Sequence, residues 1–226
     1  MHDYYGEPRP DVQALVVAKG RRILDVGCGA GALAAALRAA GASYIAGVEA
    51  SPLAAERARS HLDLLVEGSV MDVQLPFEAG EFDYLIFADV LEHLVDPDAA
   101  LRRCLPYLAP TGRVIVSVPN MRFYLMLLRL LFDRWSYAEA GIRDRTHVRI
   151  FTKHSLTSML ASHGLEIEHL TRNYRLLDDQ SEIGRVGALA TRAVAATVAP
   201  LLFRDLLAYQ YVAVARRAAS AVEALR

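Results

Sequence analysis

The stretch ILDVGCGAGALAAALRAAG, residues 23–41, constrains the fold more than any other part of the chain. Asp25 follows the apolar residues Ile23 and Leu24, glycines come next at Gly27, Gly29 and Gly31, and an alanine-rich helix follows them. Glycines at such positions let the backbone pass close to a ligand, and the start of the following helix offers unpaired N–H groups. The stretch therefore predicts a strand, a turn and a helix that together form a nucleotide-type binding site.

Apolar β-type runs recur along the chain, with helix-like segments between the first five. This alternation is typical of an α/β protein whose sheet is covered by helices on both faces. The sequence predicts a doubly wound, Rossmann-like, mostly parallel seven-stranded sheet in a single domain over residues 1–226. The seven predicted strands are RRILDVG, SYIAGVE, LDLLVEG, FDYLIFADV, GRVIVSVP, LEIEHLT and YQYVAVARR.

Two segments exceed what such a sheet requires, namely residues 119–150 after the fifth strand and residues 178–208 between the sixth and seventh. The first pairs a very apolar helix with a polar loop. In the second, Arg185 and Arg192 are seven residues apart on one helix face, and Pro200 kinks or ends a helix. We expect both to be helical insertions near the carboxyl edge of the sheet. Three roles stay open for them: additional core, a homodimer surface or a substrate lid.

The bulk composition excludes several classes of protein. A formal net charge of −1 gives the chain no global attraction for nucleic acid or anionic lipid, although a local basic patch does not show in such a total. Two cysteines form no disulfide framework, and the N-terminal residues lack the apolar core of a secretion signal. The uncharged stretches near the C-terminus are too short to cross a bilayer. We therefore expect a cytoplasmic protein without a transmembrane anchor and without a nucleic-acid partner.

Two acidic residues indicate which nucleotide the glycine turn holds. The spacing of Gly27, Gly29 and Ala32 also fits the dinucleotide pattern, and Glu49 suits ribose hydroxyls in either case. Asp25 favours S-adenosylmethionine over a dinucleotide. A carboxylate two residues before the first glycine repels a pyrophosphate but suits the ammonium and sulfonium groups of S-adenosylmethionine. The chain also leaves little room for the separate substrate domain of a dehydrogenase.

The sequence resembles the class I S-adenosylmethionine-dependent methyltransferases over residues 4–175 and in the last strand. The resemblance rests on LDVGCGAG, GVEAS, LPFEAGEFDYLIFADVLEHL and YLAPTGRVIVSVPN, which occur in the order and at the spacing of that family. It implies that Asp25 and the turn backbone hold the methionine end of the cofactor, that Glu49 holds the ribose, and that Tyr4 or Tyr5 closes over it.

The family often has an acid after the third strand, where this chain has Ser69, so adenine contact falls to Ser69 and the backbone of Val70. Cys28 is a small turn residue typical of the family, and we expect no nucleophilic role for it. The cofactor-binding residues that the resemblance implies are Tyr5, Asp25, Gly27, Cys28, Gly29, Gly31, Glu49, Ala50, Ser69, Val70 and Asp89.

Methyl transfer to a hydroxyl requires removal of a proton, by a base or with the help of a metal ion. In DVLEHL, the spacing of Asp89, Glu92 and His93 lets all three share one face of a helical turn. In RDRTH, His147 lies in a polar loop, and its ordinary pKa suits proton removal. We expect His147, oriented by Asp144, to act as general base or as a metal ligand.

The motif is similar to metal-assisted O-methyltransferases of the quinone pathway and of small-RNA 3′ ends, although Asp89 replaces their usual Glu. That similarity implies a divalent metal site made of Asp89, Glu92, His93 and His147, with Mn²⁺, Zn²⁺ or Co²⁺ a better match to imidazole than Mg²⁺. The alternative is that Glu92 and His93 only cap and fix the loop, since the LEH triplet is widespread in methyltransferases that use no metal.

The expected function is S-adenosylmethionine-dependent O-methylation of a small molecule. Residues 143–167 resemble small methyltransferases of bacterial glycan and polysaccharide assembly, which favours a sugar or glycan precursor. Arg143, Asp144 and Arg145 offer the hydrogen-bonding groups that such a polyhydroxylated substrate needs. The alternative is an apolar acceptor such as a quinone or polyketide. The apolar helix MRFYLMLLRLLF supports it, because such a helix suits an apolar pocket or a membrane surface. The third possible function is that of a non-catalytic module that only binds the cofactor.

Overall fold

The computed structural model of the protein describes residues 8–174 and 201–219. These residues contain seven strands in one sheet: β1 (Arg22–Val26), β2 (Tyr44–Glu49), β3 (Leu64–Glu67), β4 (Phe82–Ala88), β5 (Leu108–Pro119), β6 (Leu165–Tyr174) and β7 (Ala208–Arg217). The strand order is β3-β2-β1-β4-β5-β7-β6, and β7 runs antiparallel to both of its neighbours. The predicted α/β fold with a mostly parallel seven-stranded sheet is confirmed.

Helices connect the strands and cover both faces of the sheet. Within the described ranges they are α1 (Pro10–Gln13), α2 (Ala32–Ala39), α3 (Pro52–Ala58), α4 (Pro97–Cys104), α5 (Tyr124–Leu131), α6 (Lys153–Ser162) and α7 (Leu201–Leu207). Several begin where the sequence supplies a cap. The Ser51 hydroxyl accepts a hydrogen bond from the backbone of α3, Asp96 does the same for α4, and Thr152 forms a capping box with Ser155 in α6.

The core consists of two apolar layers, because successive residues of a strand face opposite sides of the sheet. Ile23 and Ile86 belong to a buried cluster that includes residues of α2, whereas Leu24, Leu85 and Phe87 belong to a larger cluster with residues of α4 and α6. The near-continuous apolar character of the strands thus follows from burial on both faces.

The carboxyl ends of β1, β2 and β4 lie side by side. Val26 pairs with Val48 of β2 and with Phe87 of β4 in parallel register. The chain segments that leave these three strands therefore begin at one edge of the sheet, where the topology of doubly wound folds places a ligand.

The first insertion begins with a helix and continues as irregular chain. Within residues 119–150 the structure has one helix, α5, followed by turns and a single bridge between Ala138 and Asp144. Of the second insertion, only α7 and the start of β7 are described. Residues 178–200, which include Arg185, Arg192 and Pro200, lie outside the described residues, as do Tyr4 and Tyr5. No helix in the described part of the chain is long and apolar enough to span a membrane.

Asn120 fixes the start of the first insertion against the last strand. Its buried side chain donates hydrogen bonds to the carbonyls of Asp205 (2.7 Å) and Ala208 (2.8 Å) and accepts one from the backbone of Arg122 (3.0 Å). One side chain thus satisfies backbone groups on both sides of the junction between α7 and β7, as well as one in the turn that precedes α5.

We predict that Asn120→Ala lowers the free energy of unfolding by about 1–3 kcal/mol, because it leaves buried backbone carbonyls without donors. Urea unfolding followed by circular dichroism measures the change. Thr157→Ala is the matched control, since it removes an exposed hydrogen bond to the carbonyl of His154 and should cost at most about 0.5 kcal/mol. Equal changes in the two variants would show that the Asn120 contacts do not hold this junction.

Candidate functional site

The glycine turn follows β1 at the carboxyl edge of the sheet. Gly27, Gly29 and Gly31 all have positive backbone φ angles, of 73°, 55° and 81°. Residues other than glycine rarely adopt such angles. At Gly27 a Cβ atom would also come within 2.4 Å of Val90 Cγ2, in the loop after β4. The turn therefore requires glycine both for its backbone conformation and for its close contact with that loop.

Glu49, at the end of β2, holds the turn in place. Its carboxylate accepts hydrogen bonds from the backbone N–H groups of Gly29 (2.8 Å) and Ser51 (2.8 Å). Because a carboxylate oxygen can accept more than one hydrogen bond, these contacts leave it able to receive a hydroxyl group as well. The structure thus brings Glu49 and the glycine turn together, as the sequence predicts.

Asp25 is a buried acid that lacks a full set of partners. It is 1% exposed, and its Oδ1 atom accepts no hydrogen bond from the described residues. Burial, and next the nearby Glu49 carboxylate, raise the pKa of Asp25 to about 7, while Arg9 acts in the opposite direction. An unsatisfied buried carboxyl group is costly for the unliganded protein, and a cationic ligand would satisfy it.

The remaining candidates for cofactor contact lie around the same edge. Cys28 is buried, and burial raises the pKa of its thiol, which keeps it protonated. The Ser69 hydroxyl accepts a hydrogen bond from the backbone of Met71 (3.1 Å), and the carbonyl of the buried Val70 accepts one from Arg103 (2.9 Å). Ala50 is exposed next to Glu49.

Asp89 does not share a helical face with Glu92 and His93, contrary to the expectation from their spacing. Its φ angle of 58° places it in the left-handed region, and the 3₁₀ turn Leu91–His93 starts only after it. Its carboxylate accepts hydrogen bonds from Ser117 Oγ (2.9 Å) and Gln210 Nε2 (2.6 Å). These contacts bind Asp89 to β5 and β7 instead of to the turn.

Arg9 is a member of the site that sequence reasoning missed. Its mostly buried guanidinium pairs with Asp89 (2.7 Å) and with Asp11 (2.9 Å), and it also donates to Ser117 Oγ (3.0 Å). Burial alone would lower the pKa of Arg9, but Asp89 and Asp11 raise it above its ordinary value. No spacing or motif marks a single arginine in the polar N-terminal stretch, so the sequence carried no signal for this contact.

Glu92, His93 and His147 form the one group of potential metal ligands found among the described residues. One donor atom from each lies within 4.8 Å of the donor atoms of the other two. The rings of His93 and His147 meet edge to face, with centroids 4.7 Å apart. The backbone explains the approach, since the carbonyl of Glu92 accepts hydrogen bonds from Val148 (2.9 Å) and Arg149 (2.9 Å).

Hydrogen bonds determine which nitrogen of each ring carries the proton. His147 Nδ1 lies 3.2 Å from the carbonyl oxygen of Ile142, which can only accept, so Nδ1 donates and Nε2 carries the lone pair. The Thr146 hydroxyl donates its proton to Asp144 (2.7 Å), so at 3.0 Å it accepts from His93 Nδ1. In both rings Nε2 is the nitrogen with the chemistry of a metal ligand.

Asp144 therefore has a different task from the one that the sequence predicts. It was expected to orient His147, but its carboxylate accepts from the backbone N–H (2.8 Å) and the hydroxyl of Thr146. Through Thr146 it orients His93, and the carbonyl of Ile142 orients His147. A threonine between two polar partners has no sequence signature, because the link depends on how the loop folds back.

Glu92 supplies the carboxyl part of the group. It is 1% exposed, and its Oε2 atom has no hydrogen-bond partner among the described residues. Burial, followed by the nearby Asp89, raises the pKa of Glu92 well above its usual range. Burial and the neighbouring His93 lower the pKa of His147, so its imidazole is neutral at physiological pH. An unsatisfied carboxyl group beside two imidazole rings fits Mn²⁺, Zn²⁺ or Co²⁺.

An open pocket, here called the His147 cavity, meets this group at His147. Most of its wall is apolar or aromatic. The wall residues are Pro119, Met121, Trp135, Tyr137, Ile142, Arg143, Asp144, His147, Arg149, Ile150 and Phe151. A lining of this kind suits contact with an apolar group next to the His147 imidazole.

Known proteins with similar sequences and structures include methyltransferases. The family model of a methyltransferase domain matches residues 2–170. A ubiquinone biosynthesis O-methyltransferase from Thiobacillus denitrificans is 30% identical over 159 residues, which cover 67% of each chain. Another protein of that name, from Coxiella burnetii, is 26% identical over 179 residues, which cover 77% of this chain and 76% of the relative.

Among solved structures, an S-adenosylmethionine-dependent methyltransferase from Mesorhizobium loti superimposes with a TM-score of 0.63. The match covers 94% of this chain and 99% of the other, at 20% sequence identity. Together with the family model and the glycine turn, this likeness in fold shows that the chain belongs to the class I S-adenosylmethionine-dependent methyltransferases.

Proposed function

We propose that the protein transfers the methyl group of S-adenosylmethionine to a hydroxyl group of an apolar small molecule, and that a second oxygen stands beside that hydroxyl in the acceptor. The observation that carries this proposal is the group formed by Glu92, His93 and His147, of which His147 lines the His147 cavity. A divalent cation held there would grip two neighbouring oxygens of the acceptor and lower the pKa of the one that is methylated.

The residues of the glycine turn suit the zwitterionic end of the cofactor. An amino-acid group needs an anion for its ammonium and a cation for its carboxylate. Asp25 supplies the anion, and Arg9 is close enough to Asp25 to oppose the rise in its pKa. With Glu49 on the ribose, these contacts fix the cofactor at one edge of the sheet, and positioning of the methyl group next to the acceptor supplies much of the rate.

The acceptor is apolar in this proposal because the polar groups of the cavity wall are already engaged. Arg143 donates to the carbonyl (2.8 Å) and hydroxyl (2.9 Å) of Ser136, and Asp144 accepts from Thr146. The sugar acceptor favoured by the sequence needs such groups to be available for its hydroxyls. The relatives named ubiquinone biosynthesis O-methyltransferases also support a quinone-type acceptor rather than a sugar.

His147 has two tasks open to it within this proposal. Its neutral imidazole, with the lone pair on Nε2, is able to hold a metal ion or to take the hydroxyl proton directly. Removing it should slow turnover by about 10² to 10⁴ in either case. The two tasks differ in their dependence on a metal ion, which chelation tests.

We predict that S-adenosylhomocysteine, which keeps the ammonium group, binds more weakly as the pH falls below about 7, where Asp25 takes up a proton. The cation binds the ionised carboxylate, so the affinity should fall by up to about tenfold per pH unit in this range. Calorimetric titration at several pH values measures this affinity. Asp25→Asn should weaken binding and abolish the pH dependence, whereas Asp72→Asn, at an exposed residue, should keep both. An Asp25→Asn protein with unchanged affinity would refute this role.

We predict that the metal-free protein binds Mn²⁺ or Zn²⁺ and that Glu92→Gln, His93→Ala and His147→Ala each weaken this binding by at least about tenfold. Calorimetric titration with the metal alone measures the affinity. Formation of S-adenosylhomocysteine from S-adenosylmethionine in the presence of a catechol-type acceptor should stop with chelator and return with metal. His154→Ala, which removes an exposed histidine of α6, is the control and should change neither result.

Two outcomes of that experiment would argue against the metal. Turnover that persists in chelator but is lost in His147→Ala would assign His147 as a simple base. Turnover that survives His147→Ala would leave positioning alone as the source of catalysis. Absence of S-adenosylhomocysteine release with catechols, phenols, quinols and sugars alike would favour the cofactor-binding module without turnover.

We predict that Thr146→Val lowers the affinity for Mn²⁺ or Zn²⁺ by about 10- to 100-fold, because it breaks the hydrogen-bonded link from Asp144 to His93. Thr146→Ser keeps a hydroxyl at the same place and should restore most of the affinity. The unfolding temperature of both variants serves as the control for folding. Equal metal affinity in the valine and serine variants would show that the link does not orient His93.

A further inference from the structure

The surface around α5 exposes large apolar side chains. Of the twelve large hydrophobic residues that the structure shows as exposed, nine fall between residues 127 and 150. They form what we call the apolar face, which consists of Leu127, Leu128, Leu130, Leu131, Phe132, Trp135, Tyr137, Val148 and Ile150. Leu131 is 75% exposed and Phe132 67% exposed, at the end of a helix whose other side packs Met126 into the protein. An apolar concentration of this kind marks an interaction surface.

The same segment is basic in a chain that is slightly acidic. Residues 121–150 contain six arginines and three acidic residues, a net charge of +3, whereas the whole chain has a net charge of −1. Arg145 pairs with Glu139, and Arg149 donates to the carbonyl of Val95. The ion pairs found among the described residues include none with Arg122, Arg129 or Arg134, so their charges remain for a partner.

The apolar face shares three residues with the wall of the His147 cavity. Trp135, Tyr137 and Ile150 belong both to the exposed residues of the face and to the wall of the cavity. The Trp135 and Tyr137 rings contact each other edge to face, with centroids 6.2 Å apart. A molecule that enters the cavity from this side therefore passes between apolar and aromatic side chains.

The positive charge of this segment favours one kind of partner for the face over another. A second copy of the chain that docked through the same face would bring two positive segments together, which is unfavourable. An anionic bilayer complements both properties, because arginines lie at its charged headgroups while Leu, Phe and Trp side chains enter the boundary with the acyl chains. Tryptophan and tyrosine are also the residues that favour this boundary.

We propose that the apolar face docks on the surface of an anionic phospholipid bilayer and that the acceptor enters the His147 cavity from the bilayer. The docking step rests on the surface alone, and the entry of the acceptor rests on the proposed function. An apolar acceptor is concentrated in the bilayer, so a cavity that opens toward the lipid receives it without passage through water. The local basic segment accounts for attraction to lipid that the total charge of the chain does not provide.

Sedimentation of the full chain with vesicles tests the docking step without acceptor, cofactor or metal. We expect binding to vesicles of phosphatidylglycerol and phosphatidylcholine, little binding to phosphatidylcholine alone, and weaker binding at high salt. The double substitution Leu131→Glu and Phe132→Glu should reduce partitioning by at least about tenfold. Leu53→Glu, at an 84% exposed leucine of α3, is the matched control and should leave partitioning unchanged.

A second set of variants tests the charge. Replacement of Arg122, Arg129 and Arg134 by glutamine should weaken binding to the anionic vesicles and reduce its salt dependence, with the unfolding temperature unchanged. Light scattering and thermal unfolding of the Leu131→Glu, Phe132→Glu protein identify other occupants of the face. Loss of a dimer would assign the face to a second copy, and a large fall in unfolding temperature without any vesicle binding would assign it to this chain. Either result would overturn the proposal.

The test separates failure of docking from failure of the proposed function. Absence of vesicle binding, together with metal-dependent methylation of a water-soluble catechol, would overturn the docking alone. Vesicle binding without methylation of any apolar acceptor would keep the docking and overturn the proposed function and the entry route that depends on it.

Discussion

The site depends on two backbone hydrogen bonds, which the carbonyl of Glu92 accepts from Val148 and Arg149. They join the turn after β4 to a loop from a distant part of the sequence, and without them His147 and His93 would not meet. Arg149 strengthens the same junction through the carbonyl of Val95. Because these contacts join the loop that carries His147 to the turn after β4, the loop forms part of the cavity wall.

The fold and the cofactor half of the site were predictable because their determinants are local. Each strand is a short apolar run, and Asp25 and Glu49 are recognised by their places relative to the glycine turn and to the ends of neighbouring strands. Where an observed strand boundary differs from the predicted one, contacts with a neighbouring strand determine it. β5 begins at Leu108, earlier than its apolar run, because Leu108 pairs with Phe82 before the register shifts. Within residues 119–150, helix is confined to α5.

The acceptor half of the site was predictable only as a set of residue types. The spacing of Asp89, Glu92 and His93 fits a helical turn, but the left-handed backbone at Asp89 breaks that turn, and Asp89 binds Arg9, Ser117 and Gln210 instead. These partners come from the N-terminal stretch, β5 and β7, and no local pattern connects them. The exchange of roles between Asp144 and the Ile142 carbonyl has the same origin, since the fold of the loop decides which group each ring nitrogen reaches.

The two halves of the site share one electrostatic principle. Asp25 and Glu92 are both almost fully buried, each has a carboxylate oxygen without a partner among the described residues, and the pKa of each is raised. An acid whose pKa is higher in the folded than in the unfolded protein costs stability as the pH rises between those two values, so at neutral pH both acids destabilise the unliganded fold. A cation bound to either carboxylate reverses that cost and stabilises the folded state by mass action. In the proposed function these are the two places that receive positive charge: the ammonium and sulfonium end of the cofactor at Asp25, and a divalent cation at Glu92. At the rest of the carboxyl edge, Arg9 forms ion pairs with both Asp89 and Asp11.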